Sequence, residues 1–363
     1  MVRQSFLRRG CCRLSIILRR PLQAILLWLA CMVPAAAALP QAVILVYHRF
    51  GEDDVPATNV PLALFDAQLD WLVAAGAHFA GLEEILAAFA TGAVLPDFTV
   101  AVTADDAYAS IARNAWPRLK ARGIPFTLFV ATDAVDRGQG RYLDWDGVRA
   151  LARDGVVIGH HGAAHAHMAQ MDKQAARADI ERANARFQAE LGRQPTLFAY
   201  PYGEYAPWLA AWVRDTGFDA AFAQFSSVAA PREDRFALPR FAINLRYGAL
   251  ERFRLIARAR ALPVAGFSPA DPWLGAHNPP AMHLVLAADA PALDGLNCYA
   301  STDIAPVPLV REGRTVRLLL ARPFAPGRGR VNCTAPAGGG RWYWFGRPVF
   351  VAPDAVNAGN SHQ

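Results

Sequence analysis

The sequence predicts an α/β domain followed by a small all-β domain, and three observations lead to this prediction. From residue 40 to 265, short apolar runs alternate with amphipathic stretches, which is typical of parallel strands joined by crossover helices. Five prolines within residues 263–280 then interrupt any helix. Beyond them, apolar runs between turns rich in glycine and proline indicate short strands. The alternation by itself leaves two architectures open, a barrel and an open doubly wound sheet.

The individual elements can be placed from their composition. The predicted strands of the α/β part are apolar and short: Val43–His48, Thr99–Thr103, Phe126–Ala131, Val156–Gly159, Leu197–Tyr200 and Ala220–Ala223. The predicted helices lie between them: Leu62–Ala75, Leu82–Ala90, Ile111–Ala121, Trp145–Arg153, Gln174–Leu191 and Ala206–Asp215. In the all-β part, strands are predicted at Met282–Ala288, Val316–Ala321 and Arg341–Phe345. We therefore expect an α/β domain over 40–265, a Pro-rich linker over 266–280, a β domain over 281–353 and a disordered tail over 354–363.

Residues 1–38 have the composition of an export leader. Basic residues without any acidic residue come first, an apolar run from Leu22 to Val33 follows, and Ala35–Ala38 supplies the small residues of a cleavage site. The apolar run is shorter than the about 20 residues that a bilayer span needs. We therefore predict a signal peptide and an exported protein, either periplasmic or secreted. The alternative is an uncleaved leader that tethers the protein, and no other membrane contact is expected.

Charge and cysteine content after the leader narrow the function classes. The leader holds six of the 37 Lys and Arg residues and none of the 31 Asp and Glu residues, so 31 basic residues balance 31 acidic ones in the remainder. This balance argues against a basic surface for nucleic acid, and we expect no nucleic-acid partner. Only Cys298 and Cys333 follow the leader. In an oxidising compartment they can form one disulfide bond, and two buried free thiols are the alternative.

Polar residues follow two of the predicted strands, where such folds place their functional groups. Asp105 and Asp106 come after the strand at Thr99, and adjacent carboxylates repel each other unless a cation or solvent relieves the repulsion. Residues 160–167 contain four of the nine histidines. His161 and His165 stand four apart, a spacing that on a helical turn places both imidazoles on one face. One aspartate and two histidines are a common catalytic ligand set, so the sequence predicts a metal site.

Three motifs in this order resemble those of a known family. Residues 102–107 (Val-Thr-Ala-Asp-Asp-Ala) resemble the Thr-Phe-Asp-Asp-Gly motif of the polysaccharide deacetylases, the NodB-homology family, also called carbohydrate esterase family four. Residues 161–165 resemble that family's His-Ser/Thr-x-x-His motif, and residues 198–203 resemble its Pro-Tyr-Gly motif. With Val-Tyr-His at 46–48, the chain looks most similar to the branch that includes the poly-N-acetylglucosamine deacetylases of biofilm systems. The resemblance covers about residues 42–245.

The resemblance implies a distorted (β/α) barrel of the NodB-homology type and a role for each matched residue. The implied roles are metal ligands at Asp106, His161 and His165, a general base at Asp105, a general acid at His48, and substrate contacts at Pro201, Tyr202 and Gly203. The implied cofactor is Zn²⁺ or another divalent transition metal. Arg240, outside these motifs, is a further candidate that would bind substrate or orient Asp105, with a surface ion pair as the alternative.

Several positions depart from the family pattern. Ala104 and Ala107 replace its Phe and Gly, Gly162 replaces a Ser or Thr and predicts a looser histidine loop, and Ala199 stands where many members have an Arg. The family's late histidine motif, which supplies its general acid, is missing. His48 can take that role only if the chain belongs to the branch that takes this histidine from the first strand. His160 and His167 leave a shifted ligand set open.

The implied reaction is metal-dependent hydrolysis of N-acetyl groups on an acetylated extracellular or cell-wall polysaccharide. Two other functions fit the same fold. One is a catalytically impaired carbohydrate-binding or polysaccharide-export accessory protein, which the departures favour. The other is an O-acetyl polysaccharide esterase, which would share the site and differ in its cleft. The sequence identifies no export or synthesis partner.

Overall fold

The computed structural model describes residues 40–138 and 140–352, which belong to one compact unit. The predicted signal peptide and the predicted disordered tail lie outside the described residues. No helix within the described ranges has both the length and the apolar composition needed to cross a bilayer.

A half-barrel of parallel strands forms the first part of the structure. Its strands and two short accessory strands are β1 (Val43–Tyr47), β2 (Arg49–Phe50), β3 (Asn59–Val60), β4 (His78–Phe79), β5 (Thr99–Asp105), β6 (Phe126–Val130), β7 (Val157–His160), β8 (Leu197–Ala199), β9 (Ala220–Phe222) and β10 (Phe241–Ala242). The order across the sheet is β10-β1-β5-β6-β7-β8-β9, with β4 paired to β5, whereas β2 and β3 pair with each other. All these pairs are parallel, which brings the carboxyl ends of the seven strands to one rim.

Helices connect the strands as crossovers. They are α1 (Leu62–Ala74), α2 (Leu82–Thr91), α3 (Trp116–Ala121), α4 (Thr132–Asp136), α5 (Trp145–Arg153), α6 (Lys173–Leu191), α7 (Pro207–Asp215) and α8 (Leu250–Ala257). The Asp172 side chain caps α6 by accepting hydrogen bonds from the backbone N–H groups of Gln174 and Ala175, and Gly192 ends the helix with a φ of 70°. The continuous helix predicted over 111–121 is instead a π-helical turn, Ile111–Ala115, followed by α3.

Both faces of the sheet are covered, which explains why its strands are apolar throughout. Val43 and Leu45 pack in the layer between sheet and helices, whereas Ile44 belongs to the barrel interior. Phe129 fills that interior from β6. A Cβ atom at Gly159 on the neighbouring strand would lie 2.4 Å from the Phe129 ring, so the glycine makes room for it.

Two antiparallel sheets follow the half-barrel. Their strands are β11 (Arg260–Ala261), β12 (Val264–Ser268), β13 (Trp273–Leu274), β14 (Met282–Leu286), β15 (Asn297–Ala300), β16 (Leu309–Glu312), β17 (Thr315–Leu318), β18 (Gly327–Pro336) and β19 (Trp342–Val351). One sheet has the order β11-β19-β18-β15, with β13 on β19, and the other has the order β12-β14-β17-β16. Their strands are antiparallel except where β11 and β13 join β19. Cys298 and Cys333 stand opposite each other on β15 and β18 and form the predicted disulfide bond.

The predicted α/β elements agree with the observed ones to within a few residues, apart from the π-helical turn. Six elements of this part were not predicted: β2, β3, β4, β10, α4 and α8. The first five have only two to five residues, whereas α8 was missed although Phe253 and Ile256 have helical spacing. Part of the segment interpreted as a Pro-rich linker, 266–280, is itself paired, because it contains β13 and the end of β12. The domain boundaries stay predictions.

Candidate metal centre and active site

The two aspartates lie at the carboxyl end of β5, in the middle of the half-barrel. Asp105 is the last residue of the strand, and Asp106 begins the loop after it. Asp106 and Ala107 both have left-handed backbone angles, with φ of 75° and 57°. Such a conformation costs an alanine about 1–2 kcal/mol. The turn therefore forms, under strain, without the glycine that the family motif has at position 107.

The histidine loop after β7 is held by a buried carboxylate of α6. Asp179 is 3% exposed and accepts hydrogen bonds from the backbone N–H groups of Ala163 at 2.8 Å and Ala164 at 3.0 Å. Gly162 has a φ of 72°, and a Cβ atom there would lie 2.3 Å from Met168 Cε. The positive φ favours glycine at 162, and the hydrogen bonds from the loop backbone to Asp179 oppose the looser loop expected from that glycine.

Three predicted ligands converge at the rim of the half-barrel. Asp106 Oδ1 lies 3.4 Å from His161 Nε2 and 3.1 Å from His165 Nε2. One ligand atom from each of the three residues lies within 4.8 Å of the other two. The four-residue spacing does not act through a regular helix, because residues 161–167 form an irregular loop and His165 has a φ of 52°.

The arrangement of these atoms fits a cation better than it fits hydrogen bonding. Asp106 Oδ1 is buried and has no hydrogen-bond partner among the described residues, despite the two nearby imidazoles. His161 Nδ1 lies 2.7 Å from the carbonyl oxygen of Ala199, to which it must donate a proton. In the neutral imidazole the lone pair of Nε2 therefore faces Asp106, as in histidines whose second nitrogen is fixed by a backbone carbonyl to bind a metal. In the protonated imidazole the same nitrogen carries a proton toward that carboxylate. An orphaned carboxylate oxygen beside an oriented imidazole is the donor set that a divalent transition metal requires.

Asp105 is held by a buried arginine. Arg240 has no exposed surface, and its Nη1 and Nη2 donate hydrogen bonds to the two carboxylate oxygens of Asp105 at 2.7 and 2.8 Å. Arg240 Nε also donates to the carbonyl oxygen of Ala223 at 3.1 Å. The pair is therefore not a surface ion pair. Many family members have an arginine at the position of Ala199. In this chain Arg240, just before β10, supplies the guanidinium group that contacts Asp105.

The charges of the site act on one another. Burial raises the pKa of Asp105, but Arg240 and His161 favour its carboxylate, so the net shift is downward. Burial also raises the pKa of Asp106, yet the imidazoles of His161 and His165 hold it well below its usual range. Burial lowers the pKa of His165, whereas the neighbouring Asp106 carboxylate raises it, and the net shift is upward. Both carboxylates are therefore ionised at neutral pH, as metal binding requires.

His48 lies between β1 and β2 at the same rim and is half-buried. Burial lowers the pKa of its imidazole, and although Asp106 and Asp105 act in the opposite direction, the net shift is downward. The carboxylates of Asp106 and Asp105 and the imidazole of His161 are near enough to act on the charge of His48. The structure thus brings the predicted acid, base and ligands together.

The Pro-Tyr-Gly motif forms a tight turn after β8. Pro201–Gly203 is a single 3₁₀ turn in which Tyr202 has a φ of 59°. Gly203 has a φ of 71°, and a Cβ atom there would lie 2.4 Å from the backbone nitrogen of Gln224. The Tyr202 ring meets His165 edge-on, with 4.4 Å between ring centroids. The motif therefore places an aromatic wall directly beside one predicted metal ligand.

The other two histidines of the cluster are not part of the ligand group. The His160 ring is fully buried among Phe187, Phe198 and Phe218, and burial lowers its pKa to about 3. The His167 ring stacks on Tyr202 at 3.9 Å, and its Nδ1 lies 2.8 Å from Glu204 Oε2. The shifted ligand set left open by the sequence is not formed.

Several supporting residues were not identified from the sequence. Asp179 lies in α6, which is rich in charged residues, so the sequence alone does not distinguish this buried aspartate from the exposed charged residues around it. Glu204 directly follows the Pro-Tyr-Gly motif, and this position next to the motif was the one sequence feature that could have marked it as a site residue. Arg328 comes from β18 and donates a hydrogen bond from Nη1 to the carbonyl oxygen of Tyr202 at 3.0 Å. Only the tertiary structure relates that distant strand to the turn.

Known proteins resemble this chain over its α/β part. The profile of the polysaccharide deacetylase family matches residues 93–221. The curated protein YxkH of Bacillus subtilis (strain 168), whose description assigns it to the polysaccharide deacetylases, is 23% identical over 201 residues, which are 55% of this chain and 71% of that protein.

Solved structures have the same fold. The Streptococcus pyogenes deacetylase PplD, determined in complex with acetate, has a TM-score of 0.54 at 20% identity and covers 58% of this chain and 95% of its own. IcaB from Ammonifex degensii has a TM-score of 0.51 at 28% identity and covers 61% of this chain and 98% of its own. A de-N-acetylase from Aggregatibacter actinomycetemcomitans has a TM-score of 0.52 at 19% identity and covers 59% of this chain and 99% of its own. These likenesses confirm the expected NodB-type half-barrel, to which this chain adds the C-terminal sheets.

Proposed function

We propose that the protein is a metal-dependent hydrolase, and the match of residues 93–221 to the polysaccharide deacetylase profile supports this proposal. Its substrate is an N-acetylated hexosamine polymer of a bacterial extracellular or cell-wall polysaccharide. The observation that carries the proposal is the convergence of Asp106, His161 and His165 within 4.8 Å, next to the buried Asp105. The choice of N-acetyl groups rests on the sequence motifs, which resemble the branch that contains poly-N-acetylglucosamine deacetylases.

Asp106 and the Nε2 atoms of His161 and His165 would hold the ion, and one oxygen with two nitrogens suits Zn²⁺. A divalent transition ion bound there supplies positive charge that activates water near neutral pH and polarises the acetyl carbonyl. Three protein ligands leave coordination positions free for these two groups. The hydrogen bond from His161 Nδ1 to Ala199 supports the assignment, since it presents Nε2 to the site.

Asp105 acts as the general base. Its neighbour in sequence is a proposed metal ligand, and Arg240 holds both of its oxygens in one orientation. The downward shift of its pKa keeps the carboxylate ionised at neutral pH, although it also makes the carboxylate a weaker base. Its fixed orientation is what suits it to accept a proton from the attacking water. Arg240 does not touch solvent, so its proposed role is to position Asp105 rather than to bind substrate.

His48 acts as the general acid that protonates the leaving amine. Its lowered pKa makes the protonated imidazole a stronger acid, although a smaller fraction is protonated at neutral pH. Tyr202, in the Pro201–Gly203 turn beside His165, forms the wall that receives the acetyl group. The stacked His167 ring and the Arg328 hydrogen bond keep Tyr202 in its left-handed conformation.

Metal analysis and acetate release, measured together, test the proposal. We expect the purified protein to hold about one divalent ion and to release acetate from N-acetylglucosamine oligosaccharides. Asp105→Asn should retain the metal while acetate release falls by about 10²- to 10⁴-fold, whereas His161→Ala should lose the metal. His78→Ala, a substitution on the surface of the half-barrel, serves as the matched histidine control.

Each result separates one function from another. Equal metal loss in the Asp105→Asn and His161→Ala variants would contradict the division between base and ligand. Metal without acetate release from any acetylated glycan would identify an impaired carbohydrate-binding protein. Faster release from O-acetylated than from N-acetylated oligosaccharides would identify an esterase.

Export of the protein is part of the proposal, because the substrate lies outside the cytoplasm. The disulfide bond between Cys298 and Cys333 supports export, since such bonds persist in oxidising compartments. Mass measurement of the mature protein locates the cut that we predict after Ala38.

A further inference from the structure

A groove of about 540 Å³ crosses the C-terminal sheet outside the residues matched by the family profile. It lies between α8 and the face of the sheet formed by β15, β18 and β19. Its aromatic side chains are Tyr299, Trp342 and Trp344. Trp344 is anchored, with its ring edge-on to Phe241 at 5.6 Å, whereas Tyr299 is 40% exposed. The groove therefore presents aromatic surface on a rigid sheet.

Exposed apolar side chains concentrate at this groove. Within the described residues, seven large hydrophobic side chains are exposed, and three of them, Leu255, Tyr299 and Ile304, line it. Single exposed apolar residues need no explanation, but three of them gathered in one concavity offer the apolar surface that ligand sites have. The polar metal centre makes no use of these residues.

Polar groups stand among the aromatic ones. Arg330, Asn332 and Thr334 of β18 line the groove together with Asp303. Asn332 Oδ1 accepts a hydrogen bond from Trp344 Nε1 at 3.4 Å, which leaves the amide N–H groups of Asn332 for a ligand. No carboxylate of the described chain lies within 4.0 Å of the Arg330 guanidinium. A sugar ring has apolar C–H faces and hydroxyl groups around its edge. Aromatic side chains next to hydrogen-bond donors and acceptors therefore suit a sugar.

One strand connects the groove to the metal centre. Side chains of a strand alternate between faces, and on β18 the buried residues Val331, Cys333 and Ala335 belong to the core of the C-terminal sheets. The even-numbered residues 328–334 therefore share the opposite face. Arg328, at one end, contacts Tyr202 beside the proposed metal ligands, whereas Thr334, at the other end, lines the groove. Six residues of strand span about 20 Å.

We propose that this groove binds a second stretch of the same acetylated glycan whose acetyl groups are removed at the metal centre, with β18 lying beneath the polymer. The identity of the glycan rests on the proposed function. The geometry of β18 and the composition of the groove stand independently of it. A glycan held at both places must run along β18 from the Tyr202 end into the groove, which itself begins at Arg330 and extends to Thr334, so the groove selects polymers over short oligosaccharides.

Equilibrium binding by the full chain tests the inference without requiring turnover. Calorimetry would compare Tyr299→Ala and Trp342→Ala with the unsubstituted protein, using a disaccharide and a long oligosaccharide of N-acetylglucosamine in both common linkages. We expect each substitution to weaken binding of the long oligosaccharide by about tenfold, on the scale of one lost aromatic contact. Tyr299→Phe keeps the ring and should bind normally. Trp212→Ala, a half-buried tryptophan of α7, is the matched control.

The outcomes distinguish the groove from the metal centre. Unchanged affinity in both groove variants, equal weakening for the two oligosaccharide lengths, or equal weakening in Trp212→Ala would overturn the inference. Absence of binding by the unsubstituted protein to every long oligosaccharide would overturn it as well and would leave the groove as a surface for a protein. Binding with the expected losses but without any acetate release would retain the groove and reject only the proposed function.

Discussion

Replacing Arg240 with methionine tests whether a buried ion pair sets the state of Asp105. The Arg240 side chain has no exposed surface and donates two hydrogen bonds to a carboxylate that is 2% exposed. Two unit charges about 4 Å apart attract by about 4 kcal/mol at an effective dielectric constant of 20. Removing one partner of such a pair costs about 3–5 kcal/mol, because the remaining charge stays buried. We expect the free energy of unfolding to fall by that amount and the pKa of Asp105 to rise.

A double-mutant cycle isolates the charge from the lost packing. Asp105→Asn in the Arg240→Met background removes the unpaired carboxylate, so the second substitution should cost little or restore stability. We expect a coupling of about 2–3 kcal/mol between the two positions. Urea denaturation should be measured in the presence of a chelator, since a metal that binds only the folded state would add its own stabilisation.

Additive effects would refute this reasoning. If the double variant loses the sum of the two single losses to within about 0.5 kcal/mol, Arg240 and Asp105 do not stabilise each other. Arg240→Lys gives a second check, because lysine keeps the charge but cannot donate to both carboxylate oxygens in the fork geometry of a guanidinium. The free energy of unfolding of the Arg240→Lys variant should lie between that of the Arg240→Met variant and that of the unsubstituted protein.

Two further substitutions test the histidine loop and the core beneath it. Gly162→Ser, which restores the residue type of the family motif, should cost at least about 1–3 kcal/mol in thermal or urea unfolding, because φ is 72° and a Cβ atom would meet Met168. His160→Phe should remove part of the acid sensitivity of the fold. The pKa of His160 is about 3 in the folded protein, whereas an exposed imidazole has a pKa of 6.5. The unfolded chain therefore binds the extra proton, and this contribution destabilises the native protein as the pH falls below about 6.5. Between pH 7 and 5 the difference amounts to about 2 kcal/mol.

These two predictions have clear contradicting results. An unchanged midpoint of unfolding for Gly162→Ser would mean that the loop relaxes freely and that Asp179 does not hold it. Parallel stability curves for His160→Phe and the unsubstituted protein from pH 7 to 5 would mean that the imidazole is not kept neutral by burial. Ala152→Gly on α5, away from both positions, is a control for general loss of stability.

Prediction from the sequence succeeded where local patterns carry the information. The apolar run at Thr99–Thr103 predicted β5, and the chain extends it only by Ala104 and Asp105. The aspartate pair and the spaced histidines predicted a metal site, which stays a prediction, but the side chains of Asp106, His161 and His165 do converge. Prediction failed at the π-helical turn and at the two-residue β10, because such short or irregular elements have no periodicity of their own.

The loop around Gly162 and the partner of Asp105 show why local patterns were insufficient. A glycine in place of a serine suggested a looser loop, but Asp179, a residue of the next helix, binds the loop backbone. The sequence left three interpretations of Arg240, namely substrate binding, orientation of Asp105 and a surface ion pair, and its burial against Asp105 favours the orienting role. In each case the deciding contact joins residues far apart in the chain.

The sequence by itself determined which side chains follow each strand, because a buried parallel strand must be apolar and its carboxyl end is free to be polar. It also determined the single disulfide pairing open after the leader. The tertiary structure alone decided which oxygen of Asp106 faces the imidazoles, which nitrogen of His161 is free, and that β18 reaches from Tyr202 to an aromatic groove. These properties depend on distances across the sheet and on burial, and no short segment of the chain encodes either one.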